Sequence, residues 1–179
     1  MNPELRLRLG WIAVAVLFCA AALLLYVDYA RYIAGGAVKY GQAALGAAAP
    51  AVTFTTLTGK QQPLSTYGRA PLVVNFFATW CVPCKAELPL LQSRYERLRS
   101  SGLVVVGVDE QEEAAQVRAF VKSHGVTYPV MLDDRKAFDT YGGHAIPTSL
   151  FIDRRGVLQA VHIGEMSADI LDADIQKIL

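Results

Sequence analysis

A chain of 179 residues with a net charge of +1 is long enough for one domain and an appendage, and its near neutrality gives no reason to expect a nucleic-acid partner. Apolar side chains make up 53% of it, which is high for a wholly soluble protein. Three cysteines are too few to form a disulfide scaffold.

The apolar excess is concentrated at the start. Residues 11–27 carry no charge, and Leu9 and Gly10 extend the run to nineteen, close to the roughly 20 residues a helix needs to cross a bilayer. This predicts a transmembrane anchor over residues 9–27, with Trp11 and Tyr26 at its two interfaces. Arg6 and Arg8 precede it and Asp28 follows, so the positive-inside tendency leaves residues 1–8 in the cytoplasm and sends the rest across. The alternative, a cleaved signal peptide, has a shorter apolar core with a small-x-small site close behind it; only residues 35–37 offer a late one. Cys19 follows Phe18 and reads as an apolar filler. Residues 28–50, rich in Ala and Gly without a sustained period, read as a tether.

Residues 52–57 alternate and run into Thr58-Gly59-Lys60, a turn signal, so a short hairpin should open the folded domain over residues 51–179. Residues 71–78 are almost unbroken in apolar character, as a central strand covered on both faces requires. Trp80-Cys81-Val82-Pro83-Cys84-Lys85 follows at once, and beyond it Leu88, Leu91, Tyr95 and Leu98 recur at helical spacing, leaving Arg94, Glu96, Arg97 and Arg99 to solvent. Pro89 should kink this helix.

Two thiols three positions apart at a helix start form a redox switch. The partial positive charge and unpaired N–H groups of a helix N-terminus favour a thiolate there, which makes Cys81 the attacking group. Cys84, about one turn deeper, is the resolving thiol. Pro83 falls in the first turn, where its missing N–H has no intrahelical partner to lose. Half of a structural zinc site is the competing reading, but such sites want a second Cys or His pair. His124, His144 and His162 are scattered singly and Cys19 lies in the apolar segment.

Residues 103–108 read as a second buried strand, residues 112–124 as a helix with Ala114, Val117 and Val121 inward, and residues 128–132 as a short strand. A short helix over residues 134–141 ends at Gly142-Gly143. Residues 148–153 and 156–163 make a hairpin, and Ser167 caps a last helix. The order predicts an α/β domain with a mixed sheet between helices.

These motifs together resemble a thioredoxin fold: the dithiol block, Pro89 eight residues after the first cysteine, and Ile146-Pro147-Thr148 entering the late hairpin. With the anchor, the N-terminal hairpin and the helix–strand insertion between residues 112 and 132, the chain is similar to the membrane-anchored thioredoxin-like oxidoreductases of the TlpA and ResA type, extracytoplasmic proteins related to the reductases of cytochrome c maturation. The resemblance implies that Pro147 is a cis-proline lying against the dithiol and that the Ile146 backbone pairs with a substrate chain. It implies a redox-active Cys81–Cys84 disulfide and a docking surface of Trp80, Val82, Pro83, Ile146 and Thr148. Asn75 stands where thioredoxin has a buried aspartate, so the usual proton acceptor for the resolving thiol is absent. Glu87, three residues after Cys84 on the same helical face, is the expected replacement, with a pKa raised by partial desolvation.

The implied activity is dithiol exchange without a bound cofactor. Its expected substrates are protein disulfides, such as those of apocytochromes or copper-centre assembly proteins, with a membrane thiol transporter as electron donor. The expected location is the cytoplasmic membrane, with a single pass and the dithiol on the periplasmic side. A disulfide-introducing oxidant, a peroxiredoxin-like peroxidase and a copper-binding assembly factor remain as alternatives at this stage.

Overall fold

The computed structural model describes residue 16, residues 18–27 and residues 38–179, which fall into two units, Met1–Ala37 and Val38–Leu179. Residues 18–27 are helical. Much of the anchor expected over residues 9–27 and the first part of the tether lie outside the described residues. Among the described residues no helix is long and apolar enough to cross a membrane.

The second unit is built on a seven-stranded mixed sheet. In chain order it contains β1 (Lys39–Tyr40), β2 (Ala43–Ala44), β3 (Thr53–Thr56), β4 (Gln61–Pro63), β5 (Leu72–Phe77), α1 (Val82–Leu98), β6 (Val104–Glu110), α2 (Ala114–Ser123), β7 (Val130–Asp133), α3 (Lys136–Thr140), β8 (Thr148–Ile152), β9 (Leu158–Ile163) and α4 (Ala168–Gln176). The sheet order is β4-β3-β7-β6-β5-β8-β9, with β5, β6 and β7 parallel and the remaining pairs antiparallel; β1 and β2 form a separate hairpin. This is the thioredoxin fold that the sequence predicts, with the hairpin β3–β4 added at one edge through β7 and the unit α2–β7 inserted.

All six residues of β5 are buried, as its unbroken apolar run requires. Because side chains alternate across a strand, Val73 and Phe77 join the core under α1, α2 and α4, while Leu72, Val74 and Phe76 join the opposite core with α3 and β3. The same period puts Asn75 on the α1 side of β5, Asp109 on the α2 side of β6 and Ser149 on the α1 side of β8. The sheet therefore carries polar groups toward the start of α1 from three adjacent strands.

Three expectations change. The tether does not extend to residue 50, because residues 38–49 pack on the domain. The Gln42 N–H donates to the Thr140 carbonyl (2.8 Å) and the Gly46 N–H to that of Leu158 (2.8 Å), while Ala43 is buried. Gly41 and Gly142 permit this contact, since a Cβ on Gly142 would lie 2.3 Å from the Gly41 nitrogen. Arg94 is not a solvent arginine. It forms a two-pronged ion pair with Asp172 (2.7 and 2.8 Å) that ties α1 to α4. In α2 the inward residues are Val117 and Phe120, Val121 being only half-buried, and the helix starts at Ala114 because Glu112 and Glu113 belong to the preceding turn.

Candidate active site

Chain leaving the central strand β5 turns at Thr79-Trp80 and enters α1 with Cys81 as its N-cap. The Cys81 backbone is extended (φ −73°, ψ 114°), and its Sγ accepts the Cys84 N–H at 3.2 Å. One of the orphan donors of the helix start is thus pointed at sulfur, the arrangement that stabilises a thiolate there. Cys81 and Cys84 form a disulfide with Cα atoms 5.2 Å apart. Both are almost fully buried, at 3% and 2% exposure, so attack on or by this pair requires a partner to dock closely.

The loop before β8 closes the site from the other side. The Ile146–Pro147 peptide bond is cis, and the Ile146 carbonyl oxygen lies 3.8 Å from Cys81 Sγ. Pro147 is buried, and the Thr148 hydroxyl donates to the Ala145 carbonyl (2.6 Å), bracing the turn.

Beneath the dithiol, on the same face of α1 as Cys84, Glu87 is only 1% exposed. Asn75 Nδ2 donates to Glu87 Oε1 (3.5 Å) and to Ser149 Oγ (2.9 Å), while Glu87 Oε2 has no hydrogen-bond partner among the described residues. Burial pushes the Glu87 carboxyl up to about 7, and the charge of Glu165 adds to this. The Met166 backbone N–H and the Ser149 hydroxyl pull the other way. Tyr128, whose buried hydroxyl is also unpartnered, has its pKa raised by burial and by Glu87. A carboxyl half-ionised near neutral pH, one turn behind a buried thiol, is suited to taking and returning a proton.

The chain is similar to known proteins. The AhpC/TSA family profile matches residues 45–161. The thiol-disulfide oxidoreductase ResA of Bacillus subtilis (strain 168) is 32% identical over 174 residues, covering 96% of this chain and 92% of that protein. ResA of Bacillus anthracis is 33% identical over 135 residues, covering 75% of this chain and 78% of that one. Among solved structures, a thiol:disulfide interchange protein of the thioredoxin family from Chlorobium tepidum TLS superposes with a TM-score of 0.66 at 33% identity, over 75% of this chain and 97% of that one. The chain belongs to the AhpC/TSA family. Within it the chain is a ResA-like thiol:disulfide oxidoreductase.

In this ResA-like site the structure brings together Cys81, Cys84, Ile146 and Pro147 at one end of the sheet, with Glu87 directly below. Trp80 and Val82 stand out from the surface on either side of Cys81, at 67% and 74% exposure, and Pro83 is half-buried in the first turn of α1. Thr148 departs from the expected docking surface: it is 1% exposed, because the strand alternation turns it into the opposite core, and its side chain props the loop and presents nothing to a docking chain. Ser149, Tyr128 and Met166, which shape the surroundings of Glu87, escaped the sequence reading. Ser149 could have been found from the alternation of β8, which puts it on the same face as Pro147; the other two carry no local signal. Two further buried carboxyls, Asp109 and Glu110, sit at the end of β6, each pushed up to about 8, chiefly by burial. Among the described residues no group of three or more His, Cys, Asp or Glu side chains is placed to hold a metal ion.

Proposed function

We propose that this thiol:disulfide oxidoreductase is an extracytoplasmic, membrane-anchored reductant of protein disulfides, with clients among apocytochrome haem-binding cysteines or copper-centre assembly proteins. Residues 9–27 hold it at the outer face of the cytoplasmic membrane. A membrane thiol transporter returns it to the dithiol form, because a reductant outside the cytoplasm must draw its electrons across the bilayer.

The observation that carries this reading is the Cys84 N–H directed at Cys81 Sγ, at the start of a helix flanked by two exposed apolar side chains, Trp80 and Val82. Cys81 thiolate attacks one sulfur of the client disulfide, forming a mixed disulfide and releasing a client thiolate. Glu87 carboxylate takes the Cys84 proton. Cys84 thiolate then attacks Cys81 Sγ, forming the Cys81–Cys84 disulfide and expelling the second client sulfur as thiolate, to which Glu87 returns the proton. The client gains two electrons and this chain loses two.

A polypeptide client fits a buried dithiol ringed by protruding apolar groups. Clefts of about 390 and 450 Å³ do exist in the domain, but neither is lined by any residue from Thr79 to Cys84. The Ile146 carbonyl faces Cys81 and is available to pair with an extended client backbone.

The test is the equilibrium potential of the pair against glutathione, followed by trapping with Cys84→Ala. A potential near about −250 mV or lower, with a client held on Cys81 as a mixed disulfide, is expected; a value near about −120 mV makes the protein an oxidant and overturns the reading.

A further inference from the structure

Two residues before Cys81, Thr79 is gripped by a side chain from a different part of the fold. Glu112, in the turn between β6 and α2, takes the Thr79 backbone N–H with Oε2 and the Thr79 hydroxyl with Oε1 at 2.7 Å. Gln116 on α2 closes the ring, its Nε2 donating to Thr79 Oγ1 (2.8 Å) and to Glu112 Oε1. The Glu112 backbone N–H donates to Asp109 Oδ1 (3.2 Å), and Asp109 is completely buried at the end of β6, between Phe77 of β5 and Leu132 of β7. An exposed glutamate in a turn ordinarily hydrates its carboxylate. Here three donors hold it, and it stands on a strand of the central sheet.

We infer that Glu112, seated on Asp109, is a positioning residue for the nucleophile: its two hydrogen bonds to Thr79 hold the β5–α1 turn so that Cys81 stays at the N-cap, with its sulfur on the Cys84 N–H. The inference rests on Cys81 being the attacking thiol. The strand pairing fixes Phe77 and Asp109 side by side, and only Ala78 separates Phe77 from Thr79. Glu112 bridges the two chain ends just beyond that pairing, where β5 and β6 diverge and backbone hydrogen bonds between them stop. Without it, the turn carrying Thr79 and Trp80 loses its side support one residue short of the reactive sulfur. Asp109 fits the same purpose. Burial, with Glu112 next to it, pushes its carboxyl up to about 8, so at neutral pH it is mostly protonated and meets the Glu112 carboxylate without like-charge repulsion.

Position and charge predict opposite signs, which makes the inference testable. If Glu112 acted only as a nearby anion, removing it would lower the Cys81 pKa. If it positions the turn, removing it weakens the N–H to sulfur contact and raises that pKa. The experiment uses the reduced full-length protein in detergent and measures iodoacetamide alkylation of Cys81 across pH 5 to 10, with mass spectrometry to locate the label. Glu112→Ala is expected to raise the Cys81 pKa by about one unit, leaving about tenfold less thiolate well below that pKa. Thr79→Val removes the hydroxyl contact, keeps the backbone one and leaves the charge unchanged; it should raise the pKa by a few tenths, and it carries the test if Glu112→Ala does not fold. Glu112→Gln, which retains an acceptor oxygen for Thr79, should recover most of the parent behaviour. A pKa that is unchanged or lowered in Glu112→Ala and unchanged in Thr79→Val overturns the inference while Cys81 remains the labelled thiol. Label on Cys84 in the parent protein overturns the functional reading and this inference with it.

Discussion

Replacing Glu87 with Gln tests the proton-transfer role most directly, because the surroundings of that carboxyl determine what its removal should do to both stability and rate. Glu87 is 1% exposed, has one oxygen without a partner among the described residues, and is pushed up by burial to about 7 from an ordinary 4.5. A folded-state pKa above the unfolded one means that the folded chain holds the proton more tightly. Stability is therefore greatest below about 4.5, falls as pH rises to about 7, and is level beyond. The difference corresponds to roughly 3 kcal/mol above pH 7, an upper bound for a site that can relax. Gln has no such pH term, but its amide N–H groups lack acceptors where Oε2 now sits, a cost of about 1 to 3 kcal/mol at every pH. Urea unfolding should show Glu87→Gln less stable than the parent at pH 5, with the gap narrowing by roughly 2 kcal/mol or more by pH 8.

The kinetic consequence follows from the same titration. Between pH 6 and 8 the protonated fraction of a group at about 7 falls about tenfold. The rate at which Cys84 resolves a mixed disulfide should therefore inflect near pH 7 in the parent and show no inflection there in Glu87→Gln, which should also be slower by at least about tenfold. Cys81 is held in the mixed disulfide and does not titrate in this step, and the Cys84 thiol is common to both proteins, so the difference between the two profiles isolates Glu87. Profiles that run parallel from pH 6 to 10, together with a stability difference independent of pH, would refute the proton-transfer role.

Other perturbations probe separate parts of the argument. Glu110 is buried with neither oxygen partnered among the described residues and its carboxyl pushed up to about 8 by burial and by Asp133, so by the same sign rule Glu110→Gln should gain on the parent by roughly 2 kcal/mol or more between pH 5 and 8; equal slopes in pH-dependent urea unfolding would contradict this. Gly142→Ala meets the Gly41 nitrogen and a backbone φ of +68°, and should cost about 2 kcal/mol or more, whereas Gly59→Ala, at φ +83° with open space around it, should cost about 1 kcal/mol; thermal melts compare the two. Arg94→Ala should lose about 1 kcal/mol through the Asp172 pair, and a double-mutant cycle with Asp172→Ala should assign most of that loss to coupling between the two. Trp80→Ala should raise KM for a protein disulfide about tenfold while leaving reduction of the chain's own disulfide by dithiothreitol unchanged, the outcome expected of an exposed side chain beside Cys81 that docks the client and takes no part in the exchange.

How far the sequence could be read depended on whether the controlling physics was local. Cys81, Cys84 and Pro83 were legible because a helix N-terminus acts within its first turn, and β5 was legible because a strand covered on both faces has no polar period to disguise it. Glu87 was legible as one helical step beyond Cys84, and the upward direction of its pKa followed from the expected desolvation; the groups that surround it were not legible. The Asn75 amide that reaches Glu87 also binds Ser149, 74 positions further along, and the raised pKa arises from burial and from the charge of Glu165. Residues 38–49 read as a tether because their two-residue strands are held by backbone hydrogen bonds to Thr140, Leu158 and Gly156, which leave no mark on an Ala- and Gly-rich composition. Thr148 was placed on the docking surface by the family resemblance alone, and the strand register turns it inward. Glu112 looked like an ordinary helix-start acid, and its hold on Thr79 depends on β5 and β6 being parallel neighbours. The dithiol is thus specified by a handful of adjacent residues, whereas the proton acceptor proposed for Cys84 and the positioning proposed for Cys81 depend on which strands lie next to one another. Substitutions at Cys81 should abolish exchange in any related framework, while those at Glu87 and Glu112 should depend on the residues facing them across the sheet.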